Sequence, residues 1–147
     1  MNNLKKVSSL TILTALLVGV FGTSALASNN DNYGYSGVIK QYQANTQFPK
    51  GFERETTDNN NAWKVNFQKT TEGNSDSGIT TYWIELHSGT NVSAGHNVAS
   101  GSGAHFYAAY DDADLNTVFL TAEDNNYLGG GYSVSGVWDE ETGMLPD

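Results

Sequence analysis

Asp111, Asp112 and Asp114 place three carboxylates, which are hard-cation ligands, within four residues. Oxygen ligands of this kind suit calcium better than zinc. Asp112, Asp114 and Asn116 also stand at positions 1, 3 and 5 of a calcium loop, with Glu123 at position 12. The glycine that such a loop needs at position 6 is replaced by Thr117, and Val118 to Ala122 has the make-up of a strand. A helix–loop–helix site is therefore excluded. What remains is a looser, weak calcium site on Asp111, Asp112 and Asp114, with an extracellular-type dissociation constant of about 0.1–1 mM.

The three histidines, His87, His96 and His105, are spaced nine and nine, which matches no zinc motif. Trp83 and His87 fall on the polar side of one strand pattern, and His105 and Tyr107 share one side of another. These four form a candidate surface for binding, with coverage of Trp83 by a loop or second sheet as the competing expectation. Catalysis is poorly supported. Glu123/Asp124 and Asp139/Glu140/Glu141 are neighbours in sequence rather than carboxylates facing across a cleft. There is no G-x-S-x-G elbow, phosphate loop or dinucleotide fingerprint. The expectation is a non-enzymatic protein, with a small extracellular hydrolase as the remote alternative.

Charge narrows the partners. All 16 acids lie beyond residue 27 with five of the seven bases, a net −11 for that part of the chain. Residues 70–147 hold 12 acids and neither Lys nor Arg. Phosphate backbones and anionic lipid surfaces would repel such a chain, so nucleic acid is not an expected partner.

Location is set by the first 27 residues. Lys5 and Lys6 precede an uncharged apolar run from Leu10 to Gly22, and Ala25 and Ala27 supply an A-x-A cleavage site. Together these are the parts of a secretory signal peptide. The run has about 13 residues at about 1.5 Å each, too short for a bilayer. Cleavage after Ala27 predicts a secreted mature chain that begins at Ser28 and has no membrane span. It has no cysteine, so no disulfide can hold it.

From Tyr33 onward, period-two alternation dominates the chain. Tyr33, Tyr35 and Ile39 share one side of a strand; Trp63, Val65 and Phe67 alternate with Lys64, Asn66 and Gln68 on a wet face. Tyr82, Ile84 and Leu86 mark another strand, and Val118, Leu120 and Ala122 a further one. Tyr132 to Trp138 is the last before an acidic end. Gln43 to Asn61 reads as a long connection with a poorly defined strand around Phe52, and Gly73 to Gly78 as a turn. Phe106, Ala109, Tyr110 and Ala113 fit one short helix, although His105 and Tyr107 also fit a strand. The pattern predicts an all-β fold, a small antiparallel β-sandwich of six or seven short strands. A signal peptide (1–27) and mobile lead-in (28–32) would precede one domain (33–141) and a tail (142–147).

Asn60 to Phe67, Gly101 to Tyr107 and Val134 to Glu141 carry a resemblance to a family of small exported bacterial proteins with no assigned function. The similarity runs from about Tyr35 to Gly143. A fainter one is to lactococcin-type bacteriocins, which are cysteine-free, exported and built as small β-sandwiches. This chain is longer and strongly acidic, and it lacks their aromatic C-terminal end. The leading expectation is a secreted, non-enzymatic β-sandwich whose surface binds a partner protein, a cell-envelope component or a cation; the fainter resemblance implies a bacteriocin-like antibacterial role as the alternative. Neither resemblance supplies catalytic residues.

Overall fold

The computed structural model describes residues 30–73, 78–127 and 129–147. The expected signal peptide, Ser28, Asn29 and much of the Gly73–Gly78 turn lie outside the described residues. Eight strands are present among those described: β1 (Tyr33–Ile39), β2 (Thr46–Glu53), β3 (Trp63–Thr70), β4 (Ile79–Leu86), β5 (His96–Ala99), β6 (Ala104–Tyr107), β7 (Thr117–Asp124) and β8 (Tyr132–Asp139). They form two antiparallel four-stranded sheets, ordered β1-β8-β3-β6 and β2-β7-β4-β5. The fold is all-β, as the alternation predicts.

The inner faces carry the alternating residues. Trp63, Val65, Phe67, Tyr82, Ile84, Val118, Leu120, Val134 and Trp138 are all buried in one core. Aromatic edges organise its centre: Tyr82 meets both Tyr35 and Phe67 edge-on, and the Tyr35 hydroxyl donates to that of Tyr82 at 3.1 Å. At Gly136, in the middle of β8, an added Cβ would stand 2.1 Å from the Asn66 carbonyl oxygen and 2.9 Å from the Tyr35 ring. Only glycine lets β8 lie that close to β3.

Several expectations are corrected. The strand around Phe52 is a full strand, β2, lengthened at its start through Phe48 and kinked between Gln47 and Gly51, where the pairing with β7 shifts register. Pro49 lies in that kink; the strand is a sheet edge, where a missing N–H costs least. Of the two readings left open for the segment from Ala104, the strand holds and the short helix does not form. Ala104–Tyr107 pairs with β3 instead, and only a 3-10 turn, Asp111–Ala113, comes after it. Lys64 is not on a wet face, being 4% exposed, because Asn30 to Asn32 lie over it. That lead-in is thus docked, and so is the C-terminal segment. Thr142 N–H donates to Ala62 O, Ala62 N–H to Met144 O, and Asp147 N–H to Phe106 O.

The register gives the sandwich two distinct ends. Tyr33 pairs with Trp138 at one end of β1 and Ile39 with Tyr132 at the other. The lead-in and the C-terminal segment therefore share one end. The β1–β2 and β7–β8 connections share the opposite end.

Two substitutions test this packing. Trp63→Ala removes a fully buried ring and should cost about 3–5 kcal/mol. Gly136→Ala should cost about 1–3 kcal/mol by overpacking. Denaturant unfolding measures both, and a parent-like midpoint for either would mean the β3–β8 contact is not as close as described.

Candidate functional site

At the end shared by the chain's two terminal segments, charge is buried rather than displayed. Lys64 and Asp139 face each other in register on β3 and β8, Nζ to Oδ2 3.6 Å apart. The ammonium donates to Asn30 Oδ1, to Asp31 O at 2.6 Å and to Asn32 Oδ1 at 3.1 Å. Alongside, Arg54 is fully buried, donating through Nη1 to Glu140 O and through Nη2 to Asn61 O at 3.0 Å. Burial lowers the Arg54 pKa, against the pull of Glu141, Asp114 and Glu140. The side chain of Asn61 accepts from the N–H groups of Thr142 and Gly143 at 3.1 and 2.7 Å. Asn61 thereby folds the chain back over the guanidinium.

The run Asp139-Glu140-Glu141, read from the sequence as the acidic end after the last strand, is buried throughout. Burial pushes the Asp139 carboxyl up to about 6, opposed by a backbone hydrogen bond at Glu141 and by Lys64. Burial, then the charges of Asp139 and Glu141, push Glu140 up to about 8, and Glu141 is raised by burial too. Asp139 Oδ2, Glu140 Oε2 and Glu141 Oε2 are enclosed without a hydrogen-bond partner. A protonated carboxyl tolerates such enclosure far better than a carboxylate.

A second enclosed carboxylate lies on the outer face of the other sheet. Glu85 accepts from Trp83 Nε1 (2.7 Å), Thr121 Oγ1 (3.1 Å), Gln47 Nε2 (3.2 Å) and Asn45 Nδ2 (3.3 Å). Both oxygens are filled, and Trp83 is buried with them at 4% exposure. Of the two expectations for Trp83, coverage holds and the surface-binding role does not: its indole N–H is committed to Glu85 beneath a polar cover.

Of the other expected binding residues, His105 and Tyr107 stay together on β6, their rings parallel with centroids 6.1 Å apart, while His87 follows β4 of the other sheet. His87 is exposed and packs on Phe119 at 5.2 Å. His105 Nε2 lies 2.8 Å from Ser102 Oγ, and its Nδ1 is 4.0 Å from Asp147 Oδ2. Tyr107 is half-buried, stacked on His96 at 3.7 Å and packed against Trp63 at 5.2 Å. Because β6 and β5 are edges of different sheets, that stack joins the two sheets along one side. Burial lowers the His96 pKa, as a ring held neutral requires.

The three aspartates expected to hold calcium do not converge on one point. Within the 3-10 turn Ala113 points into the core, while Asp111 and Asp112 are exposed. Asp111 accepts from Asn59, and the Asn116 amide is spent on the backbone carbonyls of Asp112 and Asp114. The half-buried Asp114 lies close enough to Arg54 to raise its pKa. Among the described residues no three His, Cys, Asp or Glu side chains are placed to hold a metal ion.

The opposite end carries an exposed feature that sequence reading missed. Tyr42 and Tyr127 lie on the β1–β2 and β7–β8 connections, 53% and 72% exposed, with ring centroids 5.3 Å apart. Tyr42 and Gln43 both adopt left-handed backbone, φ 60° and 55°, in a turn closed by Ala44 N–H to Gln41 O at 3.3 Å. Side chains other than glycine and asparagine rarely adopt this conformation, and it costs of order 1–3 kcal/mol per residue. Gly129 leaves room for the Tyr42 hydroxyl: a Cβ there would stand 3.1 Å from it. Flanking Gln, Asn and Gly residues were the available signal, but they read simply as turn chemistry.

The buried carboxyls generate a pH prediction. A raised folded pKa stabilises fully below the unfolded value, and that stability is lost as pH rises through the folded value. For Glu140 the window runs from ordinary carboxylate range to about 8. The melting temperature should therefore fall between pH 6.5 and pH 9, above the range in which His96 takes up a proton. Glu140→Gln should melt higher than the parent at pH 9 and show a flatter profile. Parallel profiles for the two proteins would remove Glu140 from the explanation.

The family model described as "Protein of unknown function (DUF2712)" matches residues 23–142. No curated protein and no solved structure matches.

Proposed function

This chain belongs to that family of unknown function, DUF2712, and we propose that it is a secreted, non-enzymatic binding protein. Its partner is a protein or a component of the cell envelope, held at the loop end that carries Tyr42 and Tyr127. One observation carries the reading: two neighbouring tyrosines are held in the open on adjacent connections, one of them on left-handed backbone. Backbone strain kept where the side chain covers nothing in the core points to a use outside the fold.

The chemistry around the pair fits that use. Tyrosine offers a large, rigid contact area with a polar tip, and Asn, Gly and Ser supply adaptable hydrogen bonding. The connections at this end are built from those types: Gln41, Gln43 and Asn45 in one, Asn125, Asn126, Gly129 and Gly130 in the other. Such surfaces are typical of loops that recognise proteins, which favours a protein partner over a wall polymer. The acidic surface disfavours anionic polymers for the same reason that it disfavours nucleic acid. The non-enzymatic reading is supported by the enclosure of Asp139, Glu140, Glu141 and Glu85, which keeps these carboxyls away from any substrate.

Retention on washed cells of the producing organism tests the proposal. The parent protein should be retained, and Tyr42→Ser/Tyr127→Ser should be retained about tenfold or more weakly, since an interface tyrosine is commonly worth over 1 kcal/mol. Prior protease treatment of the cells should abolish retention if the partner is a protein. Equal retention of parent and double variant would remove the tyrosines from the interface. Growth inhibition by the purified protein would instead favour the antibacterial reading.

A further inference from the structure

We propose that Lys64 and Asn30 become joined by an intramolecular isopeptide bond, with Asp139 as the acid–base group. The three groups meet at the end of the sandwich away from the exposed tyrosines, so the inference stands apart from the binding role. Lys64 is 4% exposed, and its ammonium is ringed by Asn30 Oδ1, Asp31 O and Asn32 Oδ1. The buried Asp139 carboxyl stands opposite it in register, its Oδ2 3.6 Å from Nζ and without a hydrogen-bond partner. The same carboxyl accepts a backbone hydrogen bond at Asp31, which seats it against the Asn30–Asp31 peptide unit. A buried nucleophile and a buried acid thus meet beneath an exposed carboxamide that lies within hydrogen-bond reach of the nucleophile.

The reaction needs one proton to pass from Nζ to Oδ2, which leaves a neutral amine beside a neutral acid. The burial that raises the Asp139 pKa favours that transfer. A desolvated lysine amine is a competent nucleophile toward carbonyl carbon. Nζ attacks Cγ of Asn30, and the Nζ–Cγ bond forms. The Cγ–Nδ2 bond then breaks, with protons from Asp139 and the attacking nitrogen passing to the leaving group. The ammonium of Lys64 and the carboxamide of Asn30 become one amide and one ammonium ion. Asp139 ends as it began, and no oxidant is required.

The product would suit this chain. It has no cysteine, and the bond would close a loop across 34 residues of sequence. Cross-links of this kind stabilise by restricting the unfolded chain, as a disulfide does.

Intact-mass spectrometry of the purified full-length gene product, after whatever N-terminal processing sequencing finds, gives the answer. The expected mass is below that of the sequence by one ammonia, and fragmentation should yield a branched peptide joining Lys64 to Asn30. Asn30 is exposed, so Asn30→Ser should fold and recover the full mass, as should Lys64→Met and Asp139→Asn. A parent at full mass overturns the proposal. So does ammonia loss confined to one unbranched peptide, which is imide formation, or loss that persists in Asn30→Ser.

Discussion

Two cations taken out of water govern the architecture at one end of this protein. Arg54 and Lys64 are both buried, and a buried charge left unpaired would cost several kcal/mol. Their partners come from the two extremes of the described chain: Asn30 to Asn32 over Lys64, and Asp139 to Glu141 beside both. The terminal segments are therefore not appendages. Each supplies oxygen that the core strands cannot supply themselves, because their inner faces are spent on aromatic packing. The carboxyls brought in for this purpose are themselves buried, and Glu140 is also crowded by Asp139 and Glu141, which shifts them toward the protonated state.

The other enclosed acid shows a different solution to the same problem. Among the described residues Glu85 forms no ion pair and is held by four neutral donors from β4, β7 and the β1–β2 region. Hydrogen bonds to a charged acceptor are individually stronger than neutral ones, and four of them replace a hydration shell. The arrangement also ties Asn45, next to the Tyr42 turn, to the sheet below it.

Much of the fold was legible because alternation reports directly on a face that must be buried. Trp63/Val65/Phe67 and Val118/Leu120/Ala122 show this most cleanly, and both sets are in the core. Local pattern fails where a strand has no clean faces. β2 contains Pro49, Lys50 and Gly51 in succession and survives as a kinked sheet edge. It fails also where burial comes from afar. Lys64 looks wet beside Trp63 and Val65, and nothing nearby indicates that residues 30–32 and 139 will cover it. Asp139-Glu140-Glu141 misleads for the same reason. In the candidate site, exposure of Tyr127 on an Asn/Gly turn was inferable, but its approach to Tyr42 depends on β1 and β8 being neighbours.

The meeting of the two terminal segments has an engineering consequence. Asn30 Nδ2 lies 3.9 Å from Met144 Sδ, so a reporter or tether placed ahead of residue 30 and one placed after Asp147 would leave from the same pole. The tyrosines lie at the other, separated by the length of β1, about 23 Å for its seven residues at about 3.3 Å each. A chain immobilised by either terminus would present its loop end outward. Joining residue 30 to Asp147 through a short linker and reopening the chain elsewhere would give a circular permutant.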